Sequence, residues 1–110
     1  MGEITGYHAH VYFDASSREQ AVQLCEAARR AFGLTMGRVH DRPVGPHPRG
    51  SCQLAFGPEL FASVVPWLLA NRNGLTVFAH AESGDALKDH TEHVLWLGAS
   101  ETLNLGALSK

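Results

Sequence analysis

Cysteine is scarce in this chain, with only Cys25 and Cys52 among 110 residues. Two lone thiols make neither a disulfide framework nor a Cys-x-x-Cys metal or redox pair. Their apolar surroundings read as reduced, buried thiols of a cytoplasmic protein. Charge of one sign is also missing. Nine Lys and Arg stand against eleven Asp and Glu, for a formal net charge of -2, and the basic residues are scattered. That excludes a phosphate-tracking surface, so no nucleic acid partner is expected. The longest apolar run, around Val64 to Ala70, is far too short to span a bilayer, so no membrane association is expected either. Residues 1–10 hold no basic segment followed by an apolar run, so no secretory signal is expected. Gly-rich phosphate loops, nucleophile elbows and internal repeats are all missing.

What the chain does have is histidine: seven residues, at positions 8, 10, 40, 47, 80, 90 and 93, against nine Lys and Arg. Apolar residues make up 45% of the chain, enough for the core of one domain over residues 1–110. A domain of this size is only modestly stable alone. A homodimer is therefore expected, the more so because Tyr12 and Phe78 fall on a sheet face that no helix covers.

Tyr7 to Phe13 alternate as a half-buried strand does, with Ala9, Val11 and Phe13 on one face and His8, His10 and Tyr12 on the other. Ser16 and Glu19 have capping-box spacing ahead of a helix with the apolar stripe Ala21, Cys25, Ala28 and Phe32, which Gly33 stops. A short strand is predicted from Met36 to His40, then a loop stiffened by Pro43, Pro46 and Pro48, then a strand from Ser51 to Phe56. Residues 58–73 are helical in pattern, with Pro66 either kinking the helix or opening a second piece of it. Leu75 to Ala81 reads as a fourth strand, and 85–96 as a short helix that ends extended. Residues 104–110 carry no pattern.

The β-α-β-β-α-β order predicts an α+β, ferredoxin-like fold: a four-stranded antiparallel sheet with two helices on one face. The first strand is then central and beside the fourth. His8, His10 and His80 come together on the uncovered face.

His8 and His10 lie two apart on a strand, so their rings project from one side, roughly 7 Å apart along the chain. Two imidazoles so placed reach one metal ion, with His80 or a loop histidine as the third ligand. Imidazole suits zinc, iron and copper alike. His47 is presented by the proline loop, and Arg38, Arg42 and Arg49 supply forked donors for a carboxylate or phenolate. Asp89 and His90 are neighbours, and His90 and His93 share a helical face. Trp67 and Trp96 read as packing residues.

Four blocks resemble the DOPA 4,5-dioxygenase family: His-Ala-His-Val-Tyr-Phe-Asp (8–14), Arg-Val-His-Asp-Arg-Pro-Val-Gly-Pro-His-Pro (38–48), Val-Pro-Trp-Leu (65–68) and Gly-Asp-Ala-Leu-Lys-Asp-His-Thr (84–91). They cover nearly the whole chain in order. The resemblance implies a histidine-held iron(II), with zinc or another divalent metal as the alternative, and oxygen-dependent extradiol cleavage of a catechol such as DOPA. Carried over by position, His10, His47 and His80 are the implied ligands, with His8 a fourth. His40 or His90 would take a phenolic proton, and Tyr12, Arg38 and Arg42 would bind substrate. The chain departs from the family in placing Ala81, rather than a proline, after the fourth-strand histidine. Two readings stand against this one: a non-enzymatic dimeric binding domain, and a small metal-independent oxygenase or isomerase.

Overall fold

The computed structural model describes residues 3–108; the ends of the 1–110 span, and with them the start of the leader reading, lie outside the described residues. The first strand, β1 (Gly6–Phe13), runs through the middle of the sheet. Helix α1 (Arg18–Phe32) follows, then the short β2 (Thr35–Met36), the longer β3 (Gly50–Phe56), α2 (Phe61–Asn71), β4 (Val77–Glu82), a single turn α3 (Ala86–Asp89) and β5 (Val94–Leu97). All strand pairs are antiparallel, in the order β2-β3-β1-β4-β5. The α+β class and the neighbours of the first strand agree with the sequence reading. The strand number does not: the described residues form five. The extended end of 85–96 pairs with β4 (Phe78 opposite Trp96, His80 opposite Val94) and extends the sheet by one strand.

The alternation in β1 puts Ala9, Val11 and Phe13 into a core with Cys52, Leu54 and Phe56 of β3 and Val77 and Ala79 of β4. Both long helices pack there, through Ala21, Leu24, Cys25 and Ala28 of α1 and Val64 and Leu68 of α2. Burying a leucine or valine of this kind contributes about 1.5–3 kcal/mol. Inside this core the thiols of Cys25 and Cys52 lie 3.0 Å apart, both free and buried. The hydrogen bond with Cys52, with burial behind it, pushes the Cys25 thiol far above its ordinary value. Neither thiol is therefore expected to react with iodoacetamide in native protein at neutral pH, and both should react once urea unfolds it. Mass spectrometry showing a modified cysteine in the folded protein would contradict this packing.

Three local expectations need correction. Ser16 does not cap α1. Its hydroxyl donates to Asp14 Oδ1 at 2.7 Å, and Asp14 also receives Ser16 N–H, so the turn closes one residue early. Ser17 then stands at the N-cap with its hydroxyl bonded back to Asp14 and no side-chain bond to the helix N–H groups. The predicted strand 36–40 is broken: Gly37 N–H still donates to Gln53 O at 2.8 Å, and the chain then leaves the sheet until His40, in an isolated bridge to Ser51. Pro66 begins no second piece of helix, because it sits inside α2; the joint falls earlier, where a 3-10 turn over Pro58–Leu60 hands over to the α-helix. Gly33, at φ 69°, ends α1 in the left-handed conformation as expected.

The face without long helices is not left bare. Trp96 packs on Phe78 with ring centroids 4.5 Å apart, and the proline loop folds back so that His47 meets Tyr12. Asn104 N–H donates to Pro46 O at 2.8 Å, and Arg49 clasps Glu101 with two hydrogen bonds, of 3.2 and 2.8 Å. Tyr12 and Phe78 thus have no exposed surface. The chain itself covers the residues on which the dimer expectation rested.

Candidate metal centre

The strand register carries the site. His8 and His10 of β1 point to the same side, and His80 of β4 is the direct partner of His8. One ring nitrogen from each of these three side chains lies within 4.8 Å of the other two, and His10 Nε2 is 3.1 Å from His80 Nε2. Two nitrogens bound at roughly 2.0–2.2 Å to one ion, at right angles, stand roughly 3 Å apart, so this pair already has the spacing of metal ligands.

Protonation suits the same use. His80 Nδ1–H donates to the carbonyl of its neighbour Ala81 at 3.0 Å, with a Glu82 carboxylate oxygen 3.4 Å away. That leaves Nε2 as the lone-pair side of the ring, the atom that His10 Nε2 approaches, as in the backbone-oriented histidines of metal sites. Burial, followed by the neighbouring imidazoles His47, His80, His8 and His90, holds His10 well below the ordinary histidine value. Burial also lowers His80 to about 4, against the opposing Ala81 hydrogen bond, and lowers His47 to about 4. All three rings are neutral at pH 7, the form in which histidine binds a metal.

A cavity of about 340 Å³ opens over the cluster, lined by His8, His10, His47, His80, Glu82 and His90 among others. His90 Nδ1 lies 2.7 Å from Ala86 O and donates to it, so its Nε2 lone pair is available, and its ring centre is 4.1 Å from that of His80. His40 lies elsewhere, in an adjoining cavity of about 280 Å³ with Arg38, which shares His10, His47 and Gln53 with the first.

Several expected residues have other surroundings. Tyr12 is fully buried and spends its hydroxyl on His47 Nδ1 at 2.8 Å, so it cannot touch a substrate as the sequence reading had it. Burial, helped by Glu101 and partly offset by Arg49, raises its hydroxyl pKa well above the tyrosine value. His47 lies against His10, ring centres 4.0 Å apart, but outside the converging trio. Arg42 is exposed and lines neither cavity. Asp89 turns to His93 at 2.7 Å and to the Ser83 hydroxyl at 2.6 Å, not to its neighbour His90. Although burial raises the Asp89 carboxyl, the hydrogen bonds from His93 and Ser83 hold it below the usual range.

Two site residues escaped the sequence reading. Glu82 faces His8 and His80, and continuing the alternation Thr76, Phe78, His80 by one more step reaches it. Gln53, opposite His10, lies between the inward Cys52 and Leu54. Ala81 matters through its N–H, which donates to His93 O at 3.0 Å. A proline there has no such donor.

The fold and the trio define a histidine-lined α+β domain in which His8, His10 and His80 have the spacing to hold a metal ion beside an open cavity. The chain belongs to the Dopa 4,5-dioxygenase family, which it matches over residues 7–107. It is 36% identical to a DOPA 4,5-dioxygenase of Amanita muscaria over 96% of this chain and 50% of that one. An uncharacterized 21.2 kDa protein of Botryotinia fuckeliana is 33% identical over 94% of this chain and 63% of its own length. The chain therefore spans about half to two thirds of these relatives. A crystal structure of a candidate dioxygenase from Nostoc punctiforme superposes with a TM-score of 0.93 at 50% identity, over 96% of this chain and 91% of the other. No helix among the described residues is long and apolar enough to cross a membrane.

Proposed function

We propose that this domain opens the ring of a catechol, DOPA or a relative, with molecular oxygen at an iron(II) held by His8, His10 and His80. The observation that carries the reading is the convergence of three imidazoles, those of His10 and His80 buried, on the floor of an open cavity. When bound, such an ion supplies Lewis acidity and a route for electron density from ring to oxygen.

The chain's own groups do the rest. His90, with its Nε2 lone pair bare, accepts a phenolic proton from the substrate; His40, in the adjoining cavity, is worse placed for this. Arg38 lines that second cavity and binds the carboxylate of a substrate side chain reaching into it. Glu82 supports the His80 Nδ1–H and holds its ring in place. Both oxygen atoms enter the product, and the ring breaks beside the two hydroxyls, not between them.

Protein purified without oxygen and loaded with one iron(II) per chain should consume oxygen with DOPA or catechol and develop the yellow absorbance of a ring-opened product. Metal-free protein should do neither. Equal oxygen uptake with and without iron would favour the metal-independent reading, and no uptake with any catechol would remove the enzymatic one.

A further inference from the structure

We propose that Tyr12 is a positioning residue that holds His47 as its Nε2–H tautomer, so that His47 donates a hydrogen bond to an anionic oxygen of the aromatic substrate. The substrate half of this statement rests on the reading just given; the tautomer half stands on geometry alone.

The geometry is a matter of where one proton goes. Tyr12 has no exposed surface, and its hydroxyl has a single partner among the described residues, His47 Nδ1, at 2.8 Å. A phenol hydroxyl that donates nothing in a dry pocket forfeits about 1–3 kcal/mol. If His47 Nδ1–H donated to the phenol oxygen instead, the Tyr12 proton would be left in that position. The favourable arrangement has Tyr12 donating and Nδ1 accepting. A neutral imidazole carries one N–H, which must then sit on Nε2.

That Nε2–H is open to the cavity. No buried side-chain nitrogen or oxygen among the described residues lacks a partner, and His47 Nε2 has none among them, so it is not sealed away. His47 lines both cavities, at the boundary where His10 and Gln53 are shared. Its neighbours have the opposite polarity. His80 and His90 both give Nδ1–H to backbone carbonyls, which leaves their Nε2 atoms as acceptors, that of His80 already facing His10 Nε2 at 3.1 Å. The cavity wall is thereby divided between acceptor rings that take a metal or a proton and His47, whose N–H is turned to the open space. A donor facing developing negative charge on oxygen is what such chemistry uses. It also turns His47 away from the ligand role that the family resemblance implied.

Long-range proton–nitrogen spectra of metal-free protein labelled with 15N-histidine at pH 7 read the tautomer directly. The His47 signals are assigned by their loss in His47→Gln. In the unmutated protein the protonated ring nitrogen is expected to be Nε2. In Tyr12→Phe the single-tautomer pattern should give way to a mixture. An Nδ1–H pattern in the unmutated protein, or an unchanged pattern in Tyr12→Phe, would overturn the proposal. Should Tyr12→Phe not fold, the unmutated protein's pattern decides alone. Failure of the dioxygenase reading shows separately, as absent oxygen uptake with the tautomer intact.

Discussion

His10→Ala is expected to lose iron and ring-opening activity together while the sheet stays folded. His10 is one of the two trio members whose nitrogens already stand at ligand spacing, its Nε2 3.1 Å from His80 Nε2. Even a residue that only supports a metal ligand is worth about 10–100-fold in affinity, so removing a ligand should exceed that range. The fold should tolerate the loss, because His10 packs on the cavity side of β1 and the apolar core lies on the other. Iron per chain, measured beside oxygen uptake, checks this, with circular dichroism as the folding control. His93→Ala is the contrast: its ring bonds Asp89 and lines no part of the metal cavity, so iron content should be unchanged. Full activity in iron-loaded His10→Ala would reject the ligand assignment.

Metal-free protein should also lose several kcal/mol of stability between pH 6.5 and 4. His47 and His80 sit near 4 in the folded chain against an ordinary 6.5, so the unfolded chain binds more protons throughout that window. Stability is then fully present above pH 6.5, falls as pH drops toward 4, and loses no more to these groups below it. One such histidine accounts for about 3 kcal/mol. His10, lowered in the same direction, adds to the effect, although rings this close titrate as a coupled set and their contributions do not sum. Against a typical total of about 5–15 kcal/mol, that is a large share. Urea midpoints at pH 7, 5.5 and 4.5 in the presence of a chelator measure it. A midpoint that did not move between pH 7 and 5 would mean that the cluster is hydrated or already charged.

The sequence by itself determined the frame. Alternation in 7–13 and 75–81, with a helical period between, obliges β1 and β4 to lie side by side and to put His8, His10 and His80 on the same face. Period and connection handedness decide that much with no knowledge of packing. The Pro-Val-Gly-Pro-His-Pro block pointed to the family for the same reason: it is a local string. What lies on the far side of a fold-back was not legible. A single residue step in chain direction told against Ser16 as a cap, because the competing acceptor, Asp14, is a turn contact and not a helical spacing. The fifth strand was seen only as an extended tail, since pairing with β4 is a contact with residues 14 to 20 positions earlier.

The site divides the same way. Which histidines share a face follows from strand register; which nitrogen of each ring donates follows from the carbonyl or hydroxyl that the folded chain sets against it. Ala81 and Ala86 carbonyls orient His80 and His90, and a tyrosine thirty-five residues upstream orients His47. Tyr12 looked like a surface ring waiting for a substrate because one strand cannot show what covers it. The proline loop and Trp96 bury it, and the Arg49–Glu101 and Asn104–Pro46 bonds hold that cover closed. Burial of this kind is a sum over distant segments, so the tertiary structure alone decided that Tyr12 faces a histidine and not the solvent.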